Sequence, residues 1–154
     1  MAQEWGQAVG RIDNWYTSSM TDTQTVLVVE DEAATRLALS DVMKAEGFEV
    51  LTAEDGEEGL KLALEKHPDI ILADLKMPKM TGLQMLAELR KDSWGAGAEV
   101  IILTNISDVA VLEEAMALNT FYYIIKSDTG IADVVTKVRP RLSAKSVPNA
   151  NTQV

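Results

Sequence analysis

Carboxylates, a hydroxyl and a lysine stand at the ends of short apolar runs in this chain of 154 residues. Glu30 and Asp31 follow VLVV, Asp74 ends IILAD, Thr104 follows VIIL, and Lys126 follows YYII. A carboxylate can serve as a nucleophile, and a hydroxyl and an ammonium can bind an anionic group. Because the carboxyl ends of parallel strands meet at one edge of a sheet, these side chains would converge there. Such a set is suited to phosphoryl transfer.

The three carboxylates would repel one another unless a cation lies between them. Two carboxylates about 4 Å apart repel by about 4 kcal/mol at an effective dielectric constant of about 20. A hard divalent cation removes this repulsion, and Mg²⁺ is typically bound by one or two carboxylates together with water. We therefore predict a Mg²⁺ site at Glu30, Asp31 and Asp74. The next acid, Glu32, is predicted instead to interact with the N-terminal dipole of the following helix.

The elements that must position these residues follow a regular alternation. Five runs rich in β-branched residues are predicted to be strands, at residues 25–29, 48–52, 69–73, 99–103 and 121–125. Their nearly continuous apolar character is typical of a parallel sheet covered on both faces. Apolar residues at helical spacing follow each run, most regularly after residue 130. This alternation predicts a doubly wound α/β domain between residues 23 and 142.

The two ends of the chain differ from this domain. Residues 1–22 place several apolar side chains on one helical face, which predicts either an amphipathic helix or a leader: Trp5, Ala8, Val9, Ile12 and Tyr16. Residues 143–154 are polar and lack apolar periodicity, so they are predicted to be a disordered tail.

Composition and missing motifs exclude several classes of function. The chain has 14 Lys and Arg against 24 Asp and Glu, and its net charge of −10 argues against direct binding to nucleic acid. It has no Cys, which excludes disulfides and thiolate metal sites. No apolar run approaches the roughly 20 residues of a membrane span, and no secretory signal pattern is present, so we predict a cytoplasmic protein without a membrane partner. Gly-rich phosphate loops are also absent, which excludes an ordinary nucleotide site.

Four segments carry a resemblance to a known family. VLVVEDE, ADLKMPKMTG, ILT and YYIIK occur in this order, and the chain from about residue 25 to about residue 142 resembles the response-regulator receiver domain of two-component signalling. The resemblance implies a flavodoxin-like (βα)5 sandwich with a five-stranded parallel sheet in the order 2-1-3-4-5. It also implies a signalling domain that is not an enzyme in the usual sense and that catalyses only its own phosphotransfer and autodephosphorylation.

The resemblance implies a role for each residue of the acidic set. Asp74 would accept a phosphoryl group from a phosphohistidine of a histidine kinase or a histidine phosphotransfer protein. Glu30, Asp31, Asp74 and the backbone carbonyl of Lys76 would hold Mg²⁺. The Thr104 hydroxyl would donate a hydrogen bond to the phosphoryl oxygens, and Lys126 would pair with them.

The resemblance further implies a switch and an output surface. Thr104 and Tyr123 would move together after phosphorylation and change the surface formed by the fourth helix, the fifth strand and the fifth helix. This surface would bind a downstream protein or, in a homodimer, a second copy of the chain. Lys76 and Ile106 flank the acceptor and would set the lifetime of the phosphoaspartate.

Several positions depart from the common pattern of the family. Ser127 replaces the proline that usually follows the lysine, Asn105 replaces a small residue, and Thr81 replaces a common aspartate. Phe121 and Tyr122 add aromatic surface near the switch. Two alternatives therefore stay open: a phosphorylation-independent adaptor with the receiver shape, and a receiver excised from a larger response regulator. A small flavodoxin-like enzyme is disfavoured by the acidic loop after the first strand.

Overall fold

The computed structural model describes residues 23–105 and 109–145. Five strands alternate with five helices, in the order β1 Thr25–Val29, α1 Ala33–Ala45, β2 Glu49–Ala53, α2 Gly56–Lys66, β3 Ile70–Asp74, α3 Gly82–Lys91, β4 Val100–Thr104, α4 Val109–Ala117, β5 Tyr122–Ile125 and α5 Ile131–Lys145. A short 3-10 turn, Gly95–Gly97, precedes β4. The predicted N-terminal extension, most of the predicted tail and Ile106 lie outside the described residues.

The strands form one parallel sheet in the order β2-β1-β3-β4-β5, which confirms the predicted flavodoxin-like topology. Strand β1 pairs with β2 on one side and β3 on the other, with Val29 in register with both Ala53 and Ala73. Strands β1, β3 and β4 are buried almost throughout. Their apolar runs therefore reflect burial on both faces of the sheet.

Side chains alternate between two cores, one on each face of the sheet. Leu27, Ile71 and Ile102 point to the face that packs against α2, α3 and α4. Val28 and Leu72 point to the opposite face, where α1 and α5 supply Leu39, Met43, Val134, Val138 and Leu142. The two hydrophobic layers fix the height and direction of the strands.

Strand boundaries differ slightly from the sequence prediction. Strands β2, β3 and β4 begin and end one residue later than predicted, and β5 begins one residue later. The cause is backbone pairing, because Asp74 stands in register with Leu103, and Thr104 with Ile125. Asp74 and Thr104 are therefore the last residues of strands and are held by the ladder.

The helix ends agree with the local sequence. The backbone after α1 turns through Gly47 at φ 95°, a conformation that glycine adopts without strain. Helix α3 begins with a capping box in which Thr81 and Gln84 exchange hydrogen bonds of 2.9 and 3.2 Å. Thr81, where the family commonly has an aspartate, therefore still caps the helix. No helix among the described residues is long and apolar enough to cross a membrane.

Candidate functional site

Glu30 lies at the end of β1 with its side chain inside the protein. Its backbone N–H donates to the carbonyl of Ala53 at 3.0 Å and so continues the pairing between β1 and β2. The residue is 1% exposed. One carboxylate oxygen, Oε1, accepts a hydrogen bond from the backbone N–H of Glu32 at 3.2 Å. The other, Oε2, faces the end of β5.

Lys126 joins the carboxylates of two strands. Its Nζ lies 2.6 Å from Glu30 Oε2 and 2.9 Å from Asp74 Oδ2. Its backbone N–H donates to the carbonyl of Thr104 at 2.8 Å, which fixes the lysine just beyond the pairing of β4 with β5. The second oxygen of Asp74, Oδ1, accepts from the backbone N–H of Lys76 at 3.3 Å. The predicted convergence at one edge of the sheet is therefore present in the structure.

The pKa values of Glu30 and Lys126 reflect burial and mutual contact. Burial raises the pKa of Glu30, against the hydrogen bond from Lys126, and the nearby charge of Asp74 raises it further. Burial by itself would lower the pKa of Lys126, but hydrogen bonds and charges from Glu30 and Asp74 outweigh it, so that pKa is raised. The lysine is therefore held in its charged form by the two acids.

Two glycines hold the loop that follows Asp74 against its neighbours. A Cβ atom at Gly82 would collide with the backbone carbonyl of Asp74, and one at Gly56 would collide with the carbonyl of Met80. The backbone N–H of Gly56 donates to that Met80 carbonyl at 3.1 Å. The close approach of backbone to backbone, which only glycine permits here, sets the position of the loop that follows Asp74.

The acidic cluster has the geometry of a small oxygen-ligand site. Glu30, Asp31 and Asp74 each offer a carboxylate oxygen, and these oxygens lie within 4.8 Å of one another. Around an octahedral Mg²⁺ with bonds of about 2.1 Å, ligand oxygens stand about 3 to 4 Å apart. The ammonium of Lys126 already bridges two of the three acids. The donor set therefore fits Mg²⁺, while a contribution from the Lys76 carbonyl stays a prediction.

The remaining predicted site residues lie around this cluster. Thr104 is buried at the end of β4, and Tyr123 is 50% exposed on the outer side of β5. Asn105 is exposed and, together with Lys126, lines a cavity of about 320 Å³ between α1 and α5. Ser127 is exposed just after β5. The aromatic surface predicted near the switch is present, since Phe121 and Tyr122 are 59% and 45% exposed.

Glu32 lies at the start of α1 as predicted, and Arg36 contacts the candidate site in a way that no sequence motif predicts. Glu32 is the N-cap residue of α1, but its side chain accepts from the hydroxyl of Thr35 at 2.8 Å and makes no backbone cap. Arg36, the fourth residue of α1, donates to the carbonyls of Glu30 and Asp31 at 2.9 and 3.3 Å. The only signal for Arg36 in the sequence is a basic residue shortly after an acidic strand end.

Comparison with known proteins identifies the family. Residues 26–139 match the family model described as the response regulator receiver domain. The chain is 33% identical over 133 residues to the probable transcriptional regulator ycf27 of Porphyridium aerugineum, covering 82% of this chain and 54% of that protein. It is 35% identical over 112 residues to the probable chemotaxis protein CheY of Rhizobium etli, covering 72% of this chain and 87% of that protein.

A solved structure agrees with these relatives. A chain in the CheX-CheY-BeF3-Mg²⁺ complex from Borrelia burgdorferi superposes with a TM-score of 0.69 at 27% identity, covering 76% of this chain and 87% of that chain. This chain spans about half the length of the Porphyridium regulator. Sheet order, acidic cluster and family match agree, and the chain belongs to the response regulator receiver domain family of two-component signalling.

Proposed function

We propose that Asp74 accepts a phosphoryl group from a phosphohistidine. The observation that carries the proposal is the position of its carboxylate, which lies 2.9 Å from the Lys126 ammonium and beside two further carboxylates at the open edge of the sheet. This environment keeps a charged oxygen nucleophile next to a cation that can follow an incoming anion. The donor would be a histidine kinase or a histidine phosphotransfer protein.

In the proposed reaction a carboxylate oxygen of Asp74 attacks phosphorus. An O–P bond forms as the P–N bond of the phosphohistidine breaks, and the imidazole nitrogen leaves with the electron pair and takes a proton from solvent. Lys126 pairs with the phosphoryl oxygens, and the Thr104 hydroxyl, at the adjacent strand end, donates a hydrogen bond to them. Both groups stabilise negative charge where it accumulates.

Glu30, Asp31 and Asp74 would hold Mg²⁺ at this edge, with Lys76 contributing its backbone carbonyl. Bound there, the ion would neutralise the charge of the phosphoryl oxygens and of the acids around them. The Borrelia complex, a chain of which is similar to this one, contains Mg²⁺ and BeF3, which supports Mg²⁺ as the proposed cation. The three carboxylates face one ammonium, so the cluster keeps an excess of negative charge that a divalent ion offsets.

The output side of the proposal is a change of the surface formed by α4, β5 and α5. A new dianion at Asp74 would draw the Thr104 hydroxyl and bias Tyr123, which is 50% exposed, toward the interior. The exposed rings of Phe121 and Tyr122 would then meet a downstream protein or a second copy of the chain. A cytoplasmic location stays a prediction.

The lifetime of the phosphoaspartate is proposed to depend on Lys76 and Ile106. Lys76 is exposed immediately beyond the acceptor strand, where its side chain can control the approach of water to Asp74. Replacing both residues with alanine should change the rate of dephosphorylation, measured by intact mass after removal of the donor. An unchanged rate would refute this role.

The test of phosphorylation is incubation with a small acyl-phosphate donor and Mg²⁺, followed by intact-mass measurement. We expect one phosphoryl adduct in the wild type, none in Asp74→Asn, and none in the wild type when Mg²⁺ is chelated. Asp41→Asn, the same change at an exposed position of α1, is the matched control and should label normally. No adduct in the wild type, under conditions that label another receiver, would favour the phosphorylation-independent adaptor.

A further inference from the structure

We propose that Arg36 is a positioning residue for the cation site, because it holds the backbone of the loop between β1 and α1. The inference rests on the proposed function, since it concerns the two acids of that loop, Glu30 and Asp31. Arg36 touches neither the acceptor nor the phosphoryl group in this proposal. It acts through the main chain that carries the carboxylates.

The contacts of Arg36 are directed at consecutive carbonyls. Its Nη1 donates to the carbonyl of Glu30 at 2.9 Å and to that of Asp31 at 3.3 Å. Its Nη2 lies 3.4 Å from Glu54 Oε1 in the loop after β2. The side chain of Arg36 is 17% exposed, whereas that of Glu54 is 70% exposed. The guanidinium therefore lies under the loop and binds it from the helix side.

This arrangement restricts the peptide groups from which the two acids project. The carbonyl of Glu30 and that of Asp31 cannot turn away without losing a charge-assisted hydrogen bond. A guanidinium presents several donors in a rigid plane, so one side chain can satisfy both carbonyls and still reach Glu54. Asp31 is exposed, and Glu32, the last residue before α1 begins at Ala33, donates its backbone N–H to Glu30 Oε1 at 3.2 Å.

Arg36 also has an effect on cation binding that opposes this restraint of the loop. The positive charge of Arg36 lies on the same loop as the acids and would by itself repel a divalent cation. Positioning and repulsion therefore predict opposite results when the arginine is lost: weaker Mg²⁺ binding if Arg36 mainly orders the loop, and tighter binding if its charge dominates. Glu54, which is exposed and close, compensates part of that charge, so we expect the positioning effect to dominate.

The experiment measures Mg²⁺ affinity in the full chain by NMR. The backbone amides of Glu32 and Lys76 donate to the carboxylates of Glu30 and Asp74, so their chemical shifts report directly on the site. We expect about tenfold weaker Mg²⁺ binding in Arg36→Met, the size typical for residues that support metal ligands. Arg36→Lys keeps the charge but loses the planar guanidinium, and we expect it to bind Mg²⁺ almost as weakly as Arg36→Met.

Two controls separate the possible results. Glu54→Gln removes the outer partner and leaves both carbonyl contacts, so its Mg²⁺ affinity should stay within about twofold of the wild type. Arg139→Met removes an exposed arginine that pairs with Glu46 at 2.6 Å, and it should bind Mg²⁺ as the wild type does. Thermal unfolding of each variant identifies any loss of the fold.

The outcomes distinguish this inference from the proposed function. Equal or tighter Mg²⁺ binding in folded Arg36→Met would overturn the positioning role while leaving the proposed function intact. Wild-type affinity in Arg36→Lys together with weakened binding in Arg36→Met would overturn the need for a planar guanidinium, because a single ammonium would then hold the loop. If the wild-type amides do not respond to Mg²⁺ at all, both the cation site and the role of Arg36 fail.

Discussion

Two partly buried cations stand at opposite edges of the sheet and have very different surroundings. Lys126, at the carboxyl edge, contacts the carboxylates of Glu30 and Asp74 at 2.6 and 2.9 Å. Arg90, at the C-terminal end of α3, lies near the amino ends of β4 and β5. It donates to four backbone carbonyls and one hydroxyl, those of Gly95, Ala98, Leu118, Asn119 and Thr120.

The pKa shifts of the two cations run in opposite directions. Burial lowers the pKa of Arg90, and the charge of Glu99 opposes this shift without reversing it. The pKa of Lys126 is raised, because its partners are charged. Arg90 therefore connects the loops that precede β4 and β5 through hydrogen bonds to neutral oxygens. These oxygens belong to the protein itself, so the N–H donors of Arg90 stay occupied.

The difference supports the carboxyl edge as the place of the proposed chemistry. At the carboxyl edge, three carboxylates cluster near one lysine, which leaves an excess of negative charge that a bound cation would offset. At the amino edge, Arg90 uses its N–H donors on oxygens of the protein and holds the loops before two strands, so it has no donor left for a ligand. Unbalanced charge in a partly buried place destabilises a protein and is retained where it serves function. We therefore predict that mutation of Lys126 impairs phosphorylation, whereas mutation of Arg90 impairs stability.

The largest effect should follow the loss of Lys126. We expect Lys126→Met to slow labelling by an acyl phosphate about 100-fold, because one preorganised charge near the transferred group is removed. The measurement is the rate of adduct formation at saturating Mg²⁺, followed by intact mass. Lys137→Met, the same change at an exposed position of α5, is the control. Labelling of Lys126→Met at the wild-type rate would refute a role for Lys126 in phosphorylation.

The next effect concerns stability alone. Arg90→Met should lower the free energy of unfolding by about 3 kcal/mol, because several partly buried carbonyls lose a charged donor at once. Arg90→Lys should recover little, since one ammonium cannot replace a planar fork that reaches two loops. Urea unfolding measures both changes.

The labelling rate of folded Arg90→Met gives the contrast with Lys126→Met. It should stay within about twofold of the wild type, because Arg90 touches no group of the carboxyl edge in the described structure. A variant that is as stable as the wild type, or one that folds but does not label, would contradict the structural role assigned to Arg90.

The sequence predicts the residues at the carboxyl edge of the sheet, here called the acceptor edge, well. It predicts the contacts of Arg36 and Arg90 poorly, for a physical reason. Glu30, Asp74 and Lys126 lie at strand ends, and a parallel sheet brings such ends together whatever the details of its loops. The topology and the alternation of the two cores follow in the same way from apolar periodicity.

Arg36 and Arg90 donate mainly to backbone carbonyls in loops, and any residue type can offer a carbonyl. No pattern of side chains therefore marks their partners, and only the folded path of the main chain reveals them. The shift of strand ends by one residue has a related origin, because backbone pairing carries β3 and β4 through Asp74 and Thr104, beyond the apolar residues that indicate the strands.

The smallest predicted effect concerns the repulsion among the three acids of the cluster when no Mg²⁺ is bound. Asp31 is exposed, and its carboxylate lies within 4.8 Å of those of Glu30 and Asp74. Asp31→Asn removes part of the repulsion and leaves both contacts of Lys126 in place. In Mg²⁺-free buffer we therefore expect the free energy of unfolding to rise by about 0.5 kcal/mol, a value kept small by solvent screening.

Added Mg²⁺ should reverse the order of the two proteins in the same urea experiment. A ligand that binds only the folded state stabilises it in proportion to the logarithm of its concentration once the site is filled, so the wild type gains stability that Asp31→Asn cannot. Asp41→Asn, on the exposed side of α1, should respond to Mg²⁺ like the wild type. If Asp31→Asn is less stable than the wild type without Mg²⁺, the acids do not repel one another appreciably, and the acceptor edge is as well balanced as the edge that Arg90 holds.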